Sequence, residues 1–90
     1  MASSVKYVKT YIDVLVKMRT DGTFIPIKLL WDGREFDIEK VIKITMSSPQ
    51  YVGASSTIKY LVQMCGQERV LYLEDKPRRW FIEKPIIQFL

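Results

Sequence analysis

The chain is predicted to fold as an all-β domain, a small antiparallel SH3-like barrel or rolled sheet of five to six strands with little helix. Three observations predict it. Apolar and polar residues alternate with period two along much of the sequence. Two Asp-Gly pairs, Asp21-Gly22 and Asp32-Gly33, separate those runs. Turn signals recur roughly every 8–12 residues, a spacing typical of small barrels and sandwiches.

The first strand is read from Val8 to Met18, where Val8, Thr10, Ile12, Val14, Val16 and Met18 alternate with Lys9, Tyr11, Asp13, Leu15 and Lys17. Its length predicts a bend or bulge. Asp-Gly between alternating runs signals a two-residue type I′ turn, which needs positive φ at both central residues. Such a turn at Asp21-Gly22 sets Met18 opposite Ile25, Val16 opposite Ile27, Val14 opposite Leu29 and Ile12 opposite Trp31. The turn at Asp32-Gly33 sets Leu29 opposite Phe36, Ile27 opposite Ile38 and Lys28 opposite Asp37. Both hairpins then bury one face of the shared middle strand, and a one-residue slip would turn that face to water.

After Ile38 the apolar phase breaks at Glu39-Lys40 and resumes at Val41, Ile42, Ile44 and Met46. A bulge that bends the third strand accounts for this. Ser47 to Ser56, with Pro49, Gly53 and Ala54, is the one long polar connection and is expected to be a mobile loop. Thr57 to Cys65 fits two templates. Ile58, Tyr60, Val62 and Met64 alternate as in a strand, while Ile58, Leu61, Val62 and Cys65 fit helical spacing with Ser56 as N-cap. The strand is preferred, because Gly66-Gln67 leads into Val70-Leu71-Tyr72-Leu73 as a hairpin return. A turn at Asp75–Arg78 precedes a last short strand, Trp80-Phe81-Ile82, and Pro85 confines later pairing to an edge.

Ninety residues make one domain, 1–90, with a core from 7 to 84 and an apolar tail from 85 to 90. The formal net charge of +4 permits an anionic partner without requiring one. A single cysteine, Cys65, excludes an internal disulfide and fits a reducing compartment. No histidine is present, so the commonest general base and metal ligand is lacking; neither a metal nor a cofactor is expected. No stretch reaches the ~20 apolar residues of a membrane span. A cytoplasmic protein without membrane association is expected.

Catalysis is not expected. The four glycines fall at turns and loops and form no phosphate-binding motif. Glu35, Asp37 and Glu39 share one strand face and read as a solvated row. The functional signal lies in basic residues beside aromatic ones. Lys76, Arg78, Arg79 and Trp80 cluster at one turn, and Arg34 stands opposite Trp31, within reach of a cation–π contact. Such pairings grip single-stranded DNA or RNA by neutralising phosphate and stacking bases, although the register places Trp31 on the inward face and Trp80 can cap the barrel, so packing is the preferred role for both. Tyr7, Tyr11 and Tyr51 are further surface aromatics. The expected function is therefore a non-catalytic binding module contacting nucleic acid. The alternative is a protein-interaction or self-associating module using an edge strand or the tail residues Ile86, Ile87, Phe89 and Leu90.

The segments Tyr11–Val16, Asp21-Gly22, Pro26-Ile27, Trp31-Asp32-Gly33 and Phe36–Val41 carry a resemblance, as do Lys59-Tyr60, Cys65-Gly66, Glu68-Arg69, Tyr72-Leu73 and Trp80–Glu83. Together the chain resembles a family of short proteins of Firmicutes-type bacteria with a Trp-x-Asp-Gly hairpin and a terminal Trp-Phe-Val/Ile-Glu. The resemblance spans most of residues 7–84. It implies a small β-barrel and no catalytic residues. The chain departs from the family pattern at Gly53-Ala54-Ser55-Ser56 and Lys59, where members carry several glycines and an arginine. A more distant similarity, to small β-domains beside bacterial DNA-repair polymerase relatives, bears on fold and points toward nucleic acid.

Overall fold

A computed structural model describes residues 4–47 and 56–88, with side chains described for 7–46 and 56–84. These residues form seven strands: β1 (Ser4–Met18), β2 (Phe24–Trp31), β3 (Arg34–Asp37), β4 (Lys40–Ser47), β5 (Thr57–Met64), β6 (Gln67–Glu74) and β7 (Arg79–Gln88). No helix occurs among them. Across the sheet the order is β3-β2-β1-β7-β6-β5-β4, and every neighbouring pair is antiparallel.

β3 and β4 lie at opposite edges of this order, yet only Ile38 and Glu39 separate them. The Ile38 N–H donates to the Ile27 carbonyl at 3.0 Å, and the Glu39 N–H donates to the Gln63 carbonyl at 2.8 Å. Consecutive residues of a strand point their backbone groups to opposite sides. One bent strand therefore holds β2 on one side and β5 on the other, which curls the sheet into a half-barrel. Counted as one bent strand, β3 and β4 bring the total to six. The phase break expected at Glu39-Lys40 is this exchange of partners. The bulge expected there lies two residues on, where Ile42 is the extra residue between Val41 and Lys43.

The first turn corrects the expected one. Arg19 N–H donates to the Thr23 carbonyl and Gly22 N–H to the Arg19 carbonyl, both at 2.9 Å. Gly22 has φ 88° while Asp21 has no positive φ. This is a three-residue loop closed by a left-handed glycine, the next commonest hairpin connection after the two-residue turns. The longer loop slips the register by one, so Met18 faces Phe24, Lys17 faces Ile25 and Val16 faces Pro26. A bulge at Ile27 then cancels the slip, and Val14 faces Leu29 as expected. Two irregularities offset each other because Leu29, 3% exposed, must point into the core. The expected Ile12–Trp31 pair does not form. β1 leaves β2 after Asp13, and Ile12 instead pairs with Trp80 of β7.

The β2–β3 and β5–β6 hairpins follow type I′ geometry. Asp32 and Gly33 have φ 53° and 72°, and the pairs Trp31–Arg34, Leu29–Phe36 and Lys28–Asp37 fall as expected. Cys65 and Gly66 have φ 52° and 72° and close Met64 onto Gln67, so residues 57–64 are a strand. The concave face collects Ile12, Leu29, Tyr60, Val62, Met64, Leu71, Leu73 and Trp80. Tyr60 carries this core across the half-barrel: its hydroxyl donates to the Phe24 carbonyl at 2.7 Å. Burial pushes its pKa up. The last strand is longer than expected. It runs through Pro85 to Gln88 alongside Ser4–Ile12, so residues 85–88 of the tail belong to the sheet of their own chain.

Candidate functional site: the fork between β6 and β7

The expected basic–aromatic surface is only partly assembled. Trp80 is buried, its ring 4.9 Å from that of Tyr60, so it offers no exposed stacking face. Arg78 lies 4.8 Å over the Phe24 ring and 3.8 Å from Asp75. Arg79 lies 4.0 Å over the Tyr11 ring and 3.3 Å from Glu74. Lys76 is exposed in the turn between β6 and β7. Arg34 pairs with Trp31 across β2 and β3, but the cation over the Trp31 ring is Lys84, at 5.7 Å. Arg78, Arg79, Tyr11 and Trp31 share a cleft of about 540 Å3 with Asp13 and Asp32. Lys76 and Arg34 stand outside it.

On the convex face a row of rings runs across three strands, from Tyr11 on β1 through Phe81 on β7 to Tyr72 on β6. Tyr72 and Phe81 stack at 4.9 Å, and Tyr11 meets Phe81 edge-on at 6.1 Å. Lys9 covers Phe81, its ammonium 4.6 Å from the ring centre. Glu74 gathers this face: it accepts from Lys9 at 2.6 Å and from the Tyr11 hydroxyl at 2.9 Å. The Lys9 bond holds the Glu74 carboxyl below the usual carboxylate range and raises the Lys9 pKa. Sequence reading missed this second packed layer. Its signal was the adjacency of Trp80 and Phe81, which in a strand must face opposite sides.

β6 and β7 pair over three positions only: Glu74–Arg79, Leu73–Trp80 and Tyr72–Phe81. Beyond Phe81, β7 follows β1, while β6 runs back along β5 to Gln67. The strands part like a fork, and a cleft of about 700 Å3 opens between them. Leu29, Trp31, Phe36, Met64, Leu71 and Ile82 give it an apolar lining. Glu68, Arg69, Glu83 and Lys84 line it as well.

The ladder rule identifies which backbone groups are free. The two-residue turn makes Met64 and Gln67 a hydrogen-bonded pair, so Gln67, Arg69 and Leu71 bond toward β5. Glu68 and Val70 therefore point their N–H and C=O into the fork. On the facing strand Pro85 has no N–H to offer, so β7 is the poorer template. Burial, with Glu83 beside the hydroxyl, pushes the Tyr72 pKa up to about 12 and keeps the neutral ring at the apex of the fork.

The remaining candidates separate. Ile86 and Ile87 pair through their backbones with Lys6 and Val5 of the same chain. Phe89, Leu90, Tyr51 and the expected mobile loop between Ser47 and Ser56 lie outside the described residues, apart from the loop's two ends. In the acidic row, Glu35 and Asp37 each lie 3.5 Å from Lys28, whereas Glu39 accepts from the Gly66 N–H at 2.9 Å. Among the described residues no group of three potential metal ligands occurs, and no helix is long and apolar enough to cross a membrane. Compared with known proteins, the chain matches no protein-family model, no curated protein and no solved structure.

Proposed function

We propose that the protein is a non-catalytic interaction module that accepts an extended polypeptide segment in the fork between β6 and β7. The observation that carries this reading is the union of an apolar cleft with a strand edge, at Glu68 and Val70, that is unpaired among the described residues. Strand addition takes affinity from main-chain hydrogen bonds and specificity from pockets for alternate side chains. The fork supplies both. A selection from random extended heptapeptides, followed by anisotropy titration of the winners, tests it. Selected peptides should lose binding to Val70→Pro, which removes a donor from the open edge, and retain it with Arg78→Ala. Equal affinity for wild type and Val70→Pro would contradict strand addition.

Contact with single-stranded DNA or RNA is a second reading, favoured by the meeting of Arg78 and Arg79 with Tyr11 and Trp31 on one cleft. Anisotropy with labelled DNA and RNA at two salt concentrations tests it. Binding that persists at ~150 mM salt and weakens in Arg78→Ala and Arg79→Ala supports this reading; binding that vanishes at that salt contradicts it.

A further inference from the structure

We infer that the segment received by the fork alternates apolar and basic residues, and that it adds antiparallel to β6 with its basic residues outward between Glu68 and Glu83. This rests on the strand-accepting reading of the fork and names its partner. Side chains on β6 and β7 alternate between the two faces. Leu71 and Leu73 point into the core, so Glu68 projects with Tyr72 on the convex side. Trp80 points into the core and Phe81 away from it, so Glu83 projects with Phe81 on that same convex side. The two exposed carboxylates thus stand on the outer rim of the fork, one on each strand.

The basic residues of the cleft lie on the other face. Arg69 follows the parity of Leu71 and donates to Gln67 Oε1 at 2.5 Å. Lys84 follows the parity of Trp80 and covers the Trp31 ring. A strand laid on the β6 edge therefore meets Trp31, Phe36 and Met64 with one set of side chains, where Arg69 and Lys84 are already engaged by Gln67 and Trp31, and meets Glu68 and Glu83 beside Val70 and Tyr72 with the other. Apolar residues suit the first set and lysine or arginine the second, since opposite charges on neighbouring strands attract and like charges repel. The antiparallel direction is chosen because antiparallel pairing is the stronger per residue.

The test uses four acetylated, labelled octapeptides with the full chain at ~150 mM salt: alternating Val/Lys, alternating Val/Ser, alternating Val/Glu, and a peptide of the Val/Lys composition with its valines grouped. The alternating Val/Lys peptide should bind tightest, and Glu68→Gln with Glu83→Gln should weaken it about three- to tenfold. N-methylation of its backbone on one edge should abolish binding without altering the protein. Equal binding of the three alternating peptides would overturn the charge preference while leaving strand acceptance intact. Equal binding of the grouped peptide would overturn the inferred alternation and mark simple cationic attraction. Failure of all four to bind would overturn the inference together with the strand-accepting reading.

Discussion

Tyr72 and Phe81 lie directly opposite each other, their rings stacked at 4.9 Å, and theirs is the last cross-strand pair before β6 and β7 separate. The stack bolts the fork at its apex. Phe81 is 7% exposed although it faces away from the main core, because Tyr11, Tyr72 and the Lys9 ammonium cover it. Phe81→Ala should cost about 3–5 kcal/mol in urea unfolding, the range for a buried aromatic truncated to alanine. Tyr72→Phe, which keeps the ring, should change stability by less than ~1 kcal/mol.

Cys65 occupies the first position of a type I′ turn with φ 52°. A left-handed conformation costs an ordinary L residue roughly 1–2 kcal/mol, and asparagine tolerates it better. Cys65→Asn should therefore raise the unfolding free energy by up to about 1 kcal/mol, seen as a higher urea midpoint at unchanged slope. A fall would show that the thiol makes a stabilising contact in the cleft it lines.

Glu39 ties the bent corner of the β3–β4 strand to the Cys65-Gly66 turn, through its carboxylate and the Gly66 N–H. Glu39→Ala removes that acceptor and should destabilise by about 1 kcal/mol, whereas Glu39→Gln keeps one and should lose less. Comparing the two by thermal and urea unfolding separates the bond from any effect of net charge.

The pH dependence follows from Glu74 and Tyr72. The folded-state pKa of Glu74 is depressed, by the Lys9 bond above all. Its contribution is therefore complete above the unfolded carboxylate value of about 4.3 and is lost as pH falls below it. Glu74→Gln should flatten this acid limb in a series of urea midpoints. The folded-state pKa of Tyr72 is raised to about 12, so folding favours the neutral ring. That contribution is complete below pH ~10 and fades between pH 10 and 12; Tyr72→Phe should shrink this alkaline limb to the part that Tyr60 and Lys9, whose pKa values are also raised, contribute.

Much of the fold was legible because local chemistry decided it. Asp32-Gly33 permits the positive φ values that a type I′ turn requires, and Trp31, Leu29 and Lys28 then had one set of partners. Asp21-Gly22 misled for a physical reason. Its glycine serves a three-residue loop equally well, and the Ile27 bulge that repairs the register has no local signature. The site was less legible. Trp80 and Arg79 are neighbours in sequence, but strand alternation sends one into the core and the other to the surface. The fork depends on β7 exchanging β6 for β1 as its main partner, a long-range choice that no short motif announces.

Amide hydrogen exchange of the free protein, resolved residue by residue by NMR, tests the open β6 edge most directly. Arg69 and Leu71, bonded to β5, should exchange slowly, while Glu68 and Val70 exchange freely and become protected when an extended peptide occupies the fork. Protection of Glu68 and Val70 equal to that of Arg69 and Leu71 in the free protein would show a closed sheet and contradict the account.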